Sequence, residues 1–224
     1  MTDWLVWLKS HKVHTPIIEQ VKSNLYWSQN NCKKQINWFD KYLPFHQKGM
    51  TKGNHQLLKA IYGRLDGSPL VLDACAGLGY DAFLMSLGGC RVIACEKNPQ
   101  IFALLANMYA RSKEKDWYGK EHLSVGFGCS MSLMNHWPSF RVRPDIIYLD
   151  PMFEKKFKGE VKANASLLKS LAKVEEMTNM FNLSLAFTRS KVVVKRPLYA
   201  ESISSQKPTY MIKGKTTRYD VYQV

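Results

Sequence analysis

Leu70-Val-Leu-Asp73-Ala-Cys-Ala-Gly77-Leu-Gly79-Tyr80-Asp81 runs from a short apolar stretch through two closely spaced glycines into a helical pattern. The apolar run reads as a strand of a buried sheet, and Tyr80–Leu87 repeats its apolar residues at helical spacing. Gly77 and Gly79 let the backbone turn sharply and approach a ligand closely. Ala82 stands three residues beyond Gly79, where a dinucleotide-binding loop carries glycine or alanine. Taken alone, such a strand–turn–helix is common to many proteins.

Further along, the rhythm repeats. Arg91–Cys95 reads as a strand and Pro99–Arg111 as a helix with proline in its first turn. Leu123–Phe127 and Asp145–Leu149 read as strands, Val161–Met177 as a helix, and Lys191–Lys195 as a β-branched strand stopped by Pro197. Lys207–Val224 reads as a hairpin turning at Gly214, and His55–Leu65 as a helix preceding the first strand. Pro16–Asn30 is also expected to be helical. This alternation predicts an α/β fold: a mostly parallel sheet with helices on both faces and an antiparallel C-terminal hairpin. Residues 1–50 form a small basic, aromatic N-terminal extension, and 51–224 the main domain. Ligands of such a sheet bind beyond the carboxyl ends of its strands, here the loops after residues 74, 95, 128 and 149.

Two carboxylates in those loops suggest chemistry. Glu96 lies seventeen residues after Gly79, at the end of the second strand, where an acid can accept both hydrogens of a ribose diol. With Gly77 and Gly79 it implies an adenosyl cofactor without saying which one. Asp73 organises the loop or contacts the cofactor through water; Asp81 suits the helix dipole or faces the cofactor. After the fourth strand comes Asp150-Pro151-Met152-Phe153. It resembles the Asp/Asn-Pro-Pro-Tyr/Phe loop of methyltransferases acting on exocyclic amines of nucleobases. The lone pair of such an amine is delocalised into the ring. An acid and a nearby carbonyl that accept its hydrogens favour a tetrahedral, nucleophilic nitrogen. Pro151 stiffens the loop, and Phe153 offers a face to an extruded base.

The charge supports a polyanionic partner. The 224 residues carry 32 Lys+Arg against 18 Asp+Glu, a net charge of +14. Residues 1–60 contribute +6, residues 61–150 nothing, and residues 151–224 the remaining +8. A neutral middle between basic flanks suits nucleic acid. Lys155, Lys156 and Lys158 follow the catalytic loop, and Lys195 and Arg196 end a strand on the same side; all five are candidate phosphate contacts. Trp4, Trp7, Trp27, Trp38, Phe39, Tyr42 and Phe45 either stack on RNA or form the core of a small subdomain. With 46% apolar and 22% charged residues, disorder and fibrous classes are excluded. Five scattered cysteines lack metal-ligand or disulfide-framework spacing, so no metal is expected. No apolar run approaches a membrane span, and the chain reads as reduced, soluble and cytoplasmic.

The blocks Leu72–Phe83, Gly89–Val92, Glu96–Pro99, Ile147–Phe153, Lys191–Pro197, Lys213–Gly214 and Arg218–Tyr222 resemble, in order, the bacterial small-subunit (16S) ribosomal RNA guanine-N2 methyltransferase family. The resemblance implies a class I methyltransferase (Rossmann-like) fold, S-adenosylmethionine (SAM) as cofactor, and small-subunit ribosomal RNA or its particle as partner. It places cofactor contacts at Tyr80, Asp81, Glu96, Lys97, Ser130, Met131 and Asp150. Departures are Tyr80 in place of the family's arginine, Ser130–Met131 where the family has two serines and with an extra residue or two around them, Glu154 in place of a proline, and two residues inserted before Arg218. Residues 1–50 share no defined block with it. Competing readings are an amine methyltransferase acting on DNA adenine or protein glutamine, and a non-catalytic RNA-binding or assembly protein on the same fold. A NAD-dependent oxidoreductase fits less well, because no acid–base His or Tyr-Lys pair follows the strands.

Overall fold

The computed structural model describes residues 10, 18–21, 24–29, 32–35, 37–39, 55–115, 117, 119–139, 141–151 and 163–224. Strands β1 (Ile18–Val21), β2 (Asn24–Gln29) and β3 (Cys32–Lys34) form a small antiparallel sheet. Then follow α1 (Gln56–Tyr62), β4 (Leu70–Asp73), α2 (Tyr80–Leu87), β5 (Arg91–Glu96), α3 (Pro99–Lys113), β6 (Leu123–Phe127), α4 (Ser130–Asn135) and β7 (Ile146–Leu149). The chain continues through α5 (Ala163–Phe187), β8 (Lys191–Pro197), β9 (Tyr210–Lys213) and β10 (Thr217–Gln223). The main sheet has seven strands in the order β6-β5-β4-β7-β8-β10-β9. Its first five strands are parallel, and β10 runs antiparallel to β8 and β9. This is the class I methyltransferase architecture that the resemblance implied.

The apolar runs are continuous because both faces of the central strands are covered. Alternation divides them between two cores. Val71, Ile146, Tyr148 and Val193 pack towards α1, α2 and α3. Leu72, Ile147, Leu149, Val192 and Val194 pack towards Met180 and Phe181 of α5. The order reverses between β4 and β7: the chain moves from β4 out to β5 and β6, then returns to β4's other side. That switch opens a crevice at the carboxyl ends of β4 and β7.

The helix expected over Pro16–Asn30 is not formed. Ile18–Val21 and Asn24–Gln29 pair antiparallel, with Ile18 opposite Trp27 and Val21 opposite Asn24. β-Branched and aromatic residues favour the pleat, and a tertiary bond fixes it: the Leu25 N–H donates to Asn107 Oδ1 of α3 at 3.2 Å. Trp38 and Phe39 do not build a core of their own. They pack on Phe83 of α2, with ring centroids 5.0 and 5.2 Å away, inside the main domain's core. Helix α5 runs to Phe187, beyond the expected end at Met177, and the short α4 lies where only a loop was expected. Among the described residues no helix is long and apolar enough to cross a membrane.

Candidate active site

The glycine loop needs its glycines. Gly77 has φ +54°, and Gly79, capping α2, has φ +71°. Side chains avoid this left-handed region. A Cβ on Gly79 would stand 2.5 Å from Leu105 Cδ1 and 3.0 Å from Trp38 Cζ2, so backbone and core meet there. Trp38 also donates its indole N–H to the Leu78 carbonyl at 2.7 Å, clamping the loop from the N-terminal segment.

Glu96 ends β5 and reaches across to that loop. Its Oε2 accepts the Gly77 N–H at 2.8 Å and its Oε1 accepts the Asn98 N–H at 2.7 Å. Asn98 in turn caps α3, accepting from Gln100 and Ile101 N–H groups, with Pro99 in the first turn. The Gly128 N–H donates to the Glu96 carbonyl at 3.0 Å, tying the loop after β6 to the same residue. One residue therefore joins three strand ends, two through its carboxylate and one through its main-chain carbonyl. Each carboxylate oxygen holds one backbone donor and retains lone pairs for a further one.

A second cluster lies at the crevice. Leu149 pairs with Val194 across the parallel β7–β8 ladder, so Asp150 and Lys195 follow side by side. Lys195 Nζ donates to Asp150 Oδ2 at 2.8 Å and to Asp81 Oδ2 at 2.7 Å. The same Asp81 oxygen accepts the Tyr148 hydroxyl at 2.7 Å. Burial raises the Asp150 carboxyl above the carboxylate range, opposed by the Lys195 ammonium and reinforced by Asp81. Burial alone would lower Lys195, but the two carboxylates outweigh it and hold it above the lysine range. Burial, then Asp81 and Asp150, pushes the Tyr148 hydroxyl well up, keeping it a donor. Asp73 is 1% exposed, and its Oδ1 accepts the Cys75 N–H at 3.3 Å. Burial, then Asp81, raises its carboxyl well above the usual range. The hydrogen bond to Cys75 ties Asp73 to its own loop.

The other expected site residues divide. Tyr80 opens α2, half-buried, and Pro151 is buried directly after Asp150. Ser130 is buried at the start of α4, with Met131 against the α5-side core. Lys97 follows Glu96, and its ammonium pairs with Glu176 of α5. Two residues expected on phosphates stand elsewhere. Lys195 is the bridge between Asp81 and Asp150, its side chain 27% exposed. Arg196 is buried, donates to the Glu201 carbonyl, and lies in register with Arg218, itself paired to Asp220. Strand alternation explains both: a β8 residue faces one core or the other. Phe153, Lys155, Lys156 and Lys158 lie outside the described residues, as do Trp4, Trp7, Tyr42 and Phe45. Sequence reasoning missed Tyr148. Its signal was available: Tyr148 and Asp150 are two apart and share a face.

The family model for SAM-dependent methyltransferases matches residues 8–224. The ribosomal RNA small subunit methyltransferase J of Buchnera aphidicola subsp. Schizaphis graminum is 37% identical over 197 residues, covering 86% of this chain and 78% of the relative. The protein of the same name from Vibrio parahaemolyticus is 35% identical over 188 residues, covering 79% and 73%. A crystal structure of a SAM-dependent methyltransferase from Neisseria gonorrhoeae superposes with a TM-score of 0.74 at 24% identity, over 92% of this chain and 81% of that one, and shows the same fold. By the extent of these matches, the chain belongs to the SAM-dependent methyltransferase family that includes the ribosomal RNA small subunit methyltransferase J proteins.

Proposed function

We propose that the protein transfers a methyl group from SAM to the exocyclic N2 amine of a guanine in small-subunit ribosomal RNA. The names of its relatives support the RNA class. The observation that carries the chemistry is the Asp150–Lys195–Asp81 cluster at the crevice, beside the loop organised by Glu96. The loop fits an adenosyl cofactor. A Cβ built on Gly77 or Gly128 would meet nothing within 4 Å, so both glycines border open space next to Glu96. A larger residue at either would fill that cradle.

Bound there, SAM supplies an electrophilic methyl group on a sulfonium sulfur. Glu96 would hold the cofactor's ribose through the lone pairs its backbone donors leave free, and Ser130 and Met131 would contact the cofactor as well. Asp150 accepts a hydrogen of the guanine amine, which turns the nitrogen lone pair out of the ring's conjugation. Lys195 keeps Asp150 ionised and oriented, and its second bond to Asp81 fixes the ammonium on the rigid start of α2. Pro151 limits the loop's freedom, Phe153 stacks on the base, and Lys155, Lys156 and Lys158 meet neighbouring phosphates. No dedicated base is required, because the amine becomes acidic once alkylated and its proton leaves to water.

The test is incubation with methyl-labelled SAM and small-subunit particles that lack the modification, followed by nucleoside mass spectrometry. N2-methylguanosine in the RNA is the expected product. Label in adenosine or in protein would favour the other amine methyltransferases, and no label would leave a binding protein.

A further inference from the structure

A cleft of about 530 Å³ opens at the opposite end of the sheet, between α4, the segment entering β7, and the end of α5. Buried Met134 and Phe187 lie at its base, and Trp137, Ala186, Arg141 and Arg143 line it further out, the last three exposed. The aromatic parts are built. Trp137 and Phe187 meet edge to face with centroids 5.6 Å apart, and the Trp137 indole donates to the Arg141 carbonyl at 3.3 Å. The Arg143 guanidinium lies 5.0 Å from the Phe187 ring centre.

Among the described residues neither cation has a carboxylate partner; the contact of Arg143 is with the Phe187 ring. Arg189, close by, pairs with Asp145 at 3.1 Å. Arg141 and Arg143 are both exposed, and among the described residues neither forms an ion pair with a carboxylate; no acidic residue lines the cleft. An apolar, aromatic lining beside two exposed guanidiniums matches a ligand that is flat and apolar at its centre and anionic at its edge. A nucleotide within an RNA strand has that form: nucleobase on the apolar lining, flanking phosphates on the guanidiniums. The net charge of +14 favours the same polyanion.

We propose that this cleft is a second RNA-binding site, holding the ribosomal RNA substrate at a point remote from the methylated guanine. The proposal rests on the reading of the chain as an enzyme of ribosomal RNA. It gives the loop before β7 a function that the chemistry at Asp150 does not need. β7 separates cleft and Asp150 by four residues, roughly 13 Å of strand.

The experiment measures affinity of the full-length chain for small-subunit ribosomal RNA across a salt series, with wild type, the double variant R141Q/R143Q, and Ala186→Glu. Arg141 and Arg143 are exposed, and glutamate at the exposed Ala186 preserves the helix while placing a carboxylate in the cleft's lining. The double variant should flatten the log–log salt slope by about 1.4–1.8, for two lost phosphate contacts. Ala186→Glu should weaken binding on the order of tenfold by like-charge repulsion. SAM affinity by calorimetry should stay at the wild-type value in both. Unchanged slope and affinity in both variants would overturn the proposal. Methylation assayed alongside keeps the two readings apart. Wild type that binds RNA without methylating it refutes the proposed reaction, whereas intact methylation with an unchanged slope refutes the cleft alone.

Discussion

Glu96 and Asp150 are both carboxylates at the ends of parallel strands, yet they are held in different ways. Glu96 is fixed by main-chain N–H groups from two loops, at 2.8 and 2.7 Å. Asp150 is fixed by one side chain, the Lys195 ammonium, which also serves Asp81. A backbone anchor cannot titrate or be lost to a distant substitution. A side-chain anchor ties the geometry of the acid to a charge balance among Asp81, Lys195 and Asp150. The difference suits the tasks proposed for them: one acid presents a fixed surface to a cofactor, and the other must be ionised and aimed when an amine arrives.

The largest break should come from Asp150→Ala. Removing the acceptor of the amine hydrogen should reduce turnover by about 100–1,000-fold, the scale for a lost transition-state hydrogen bond. Stopped assays at saturating SAM would measure it. The backbone-built half should fail through folding instead. Gly79→Ala puts a Cβ 2.5 Å from Leu105 Cδ1 in a left-handed conformation, which should cost on the order of 2–4 kcal/mol. Denaturant melting would show this, without a selective effect on the rate of folded enzyme.

Lys195→Met sharpens the contrast through pH. Burial raises the Asp150 carboxyl and Lys195 opposes that rise. In the wild type, activity should therefore be nearly flat around neutrality and fall as pH drops through the raised carboxyl value. Without the ammonium the carboxyl climbs further, so the acid limb should move to higher pH, with turnover at neutral pH falling about tenfold. Lys195→Arg should bring the limb part of the way back. A limb that does not move in Lys195→Met would separate Asp150's ionisation from Lys195.

What the sequence made legible follows the same division. The strand–glycine–helix unit, Glu96 at a strand end and the succession of strands along the chain are backbone features. Continuous apolar runs, turn residues and spacing report them directly, as at Leu70–Leu87. The C-terminal hairpin around Gly214 was legible for the same reason. The Asp81–Lys195–Asp150–Tyr148 cluster was only half legible. Its acids stood out singly, but their meeting depends on the register of β8 beside β7, which no local pattern encodes. Lys195 thus read as a phosphate contact, although the ladder sets it between Asp81 and Asp150. The N-terminal segment was misread as a helix because its pairing is settled by partners far along the chain, Asn107 for Leu25 and Phe83 for Trp38.

The contrast between the two acids can be measured in one paired experiment. SAM affinity by calorimetry and single-turnover rate at saturating SAM are determined for Glu96→Ala and Asp150→Ala, each shown to be folded. Glu96→Ala should bind SAM about 10–100-fold more weakly, from the loss of one charge-assisted bond or more, while its saturated rate stays near wild type. Asp150→Ala should keep most of its affinity and lose its rate. An Asp150→Ala enzyme that methylates at the wild-type rate, or a Glu96→Ala enzyme with undiminished affinity, would contradict this division of labour.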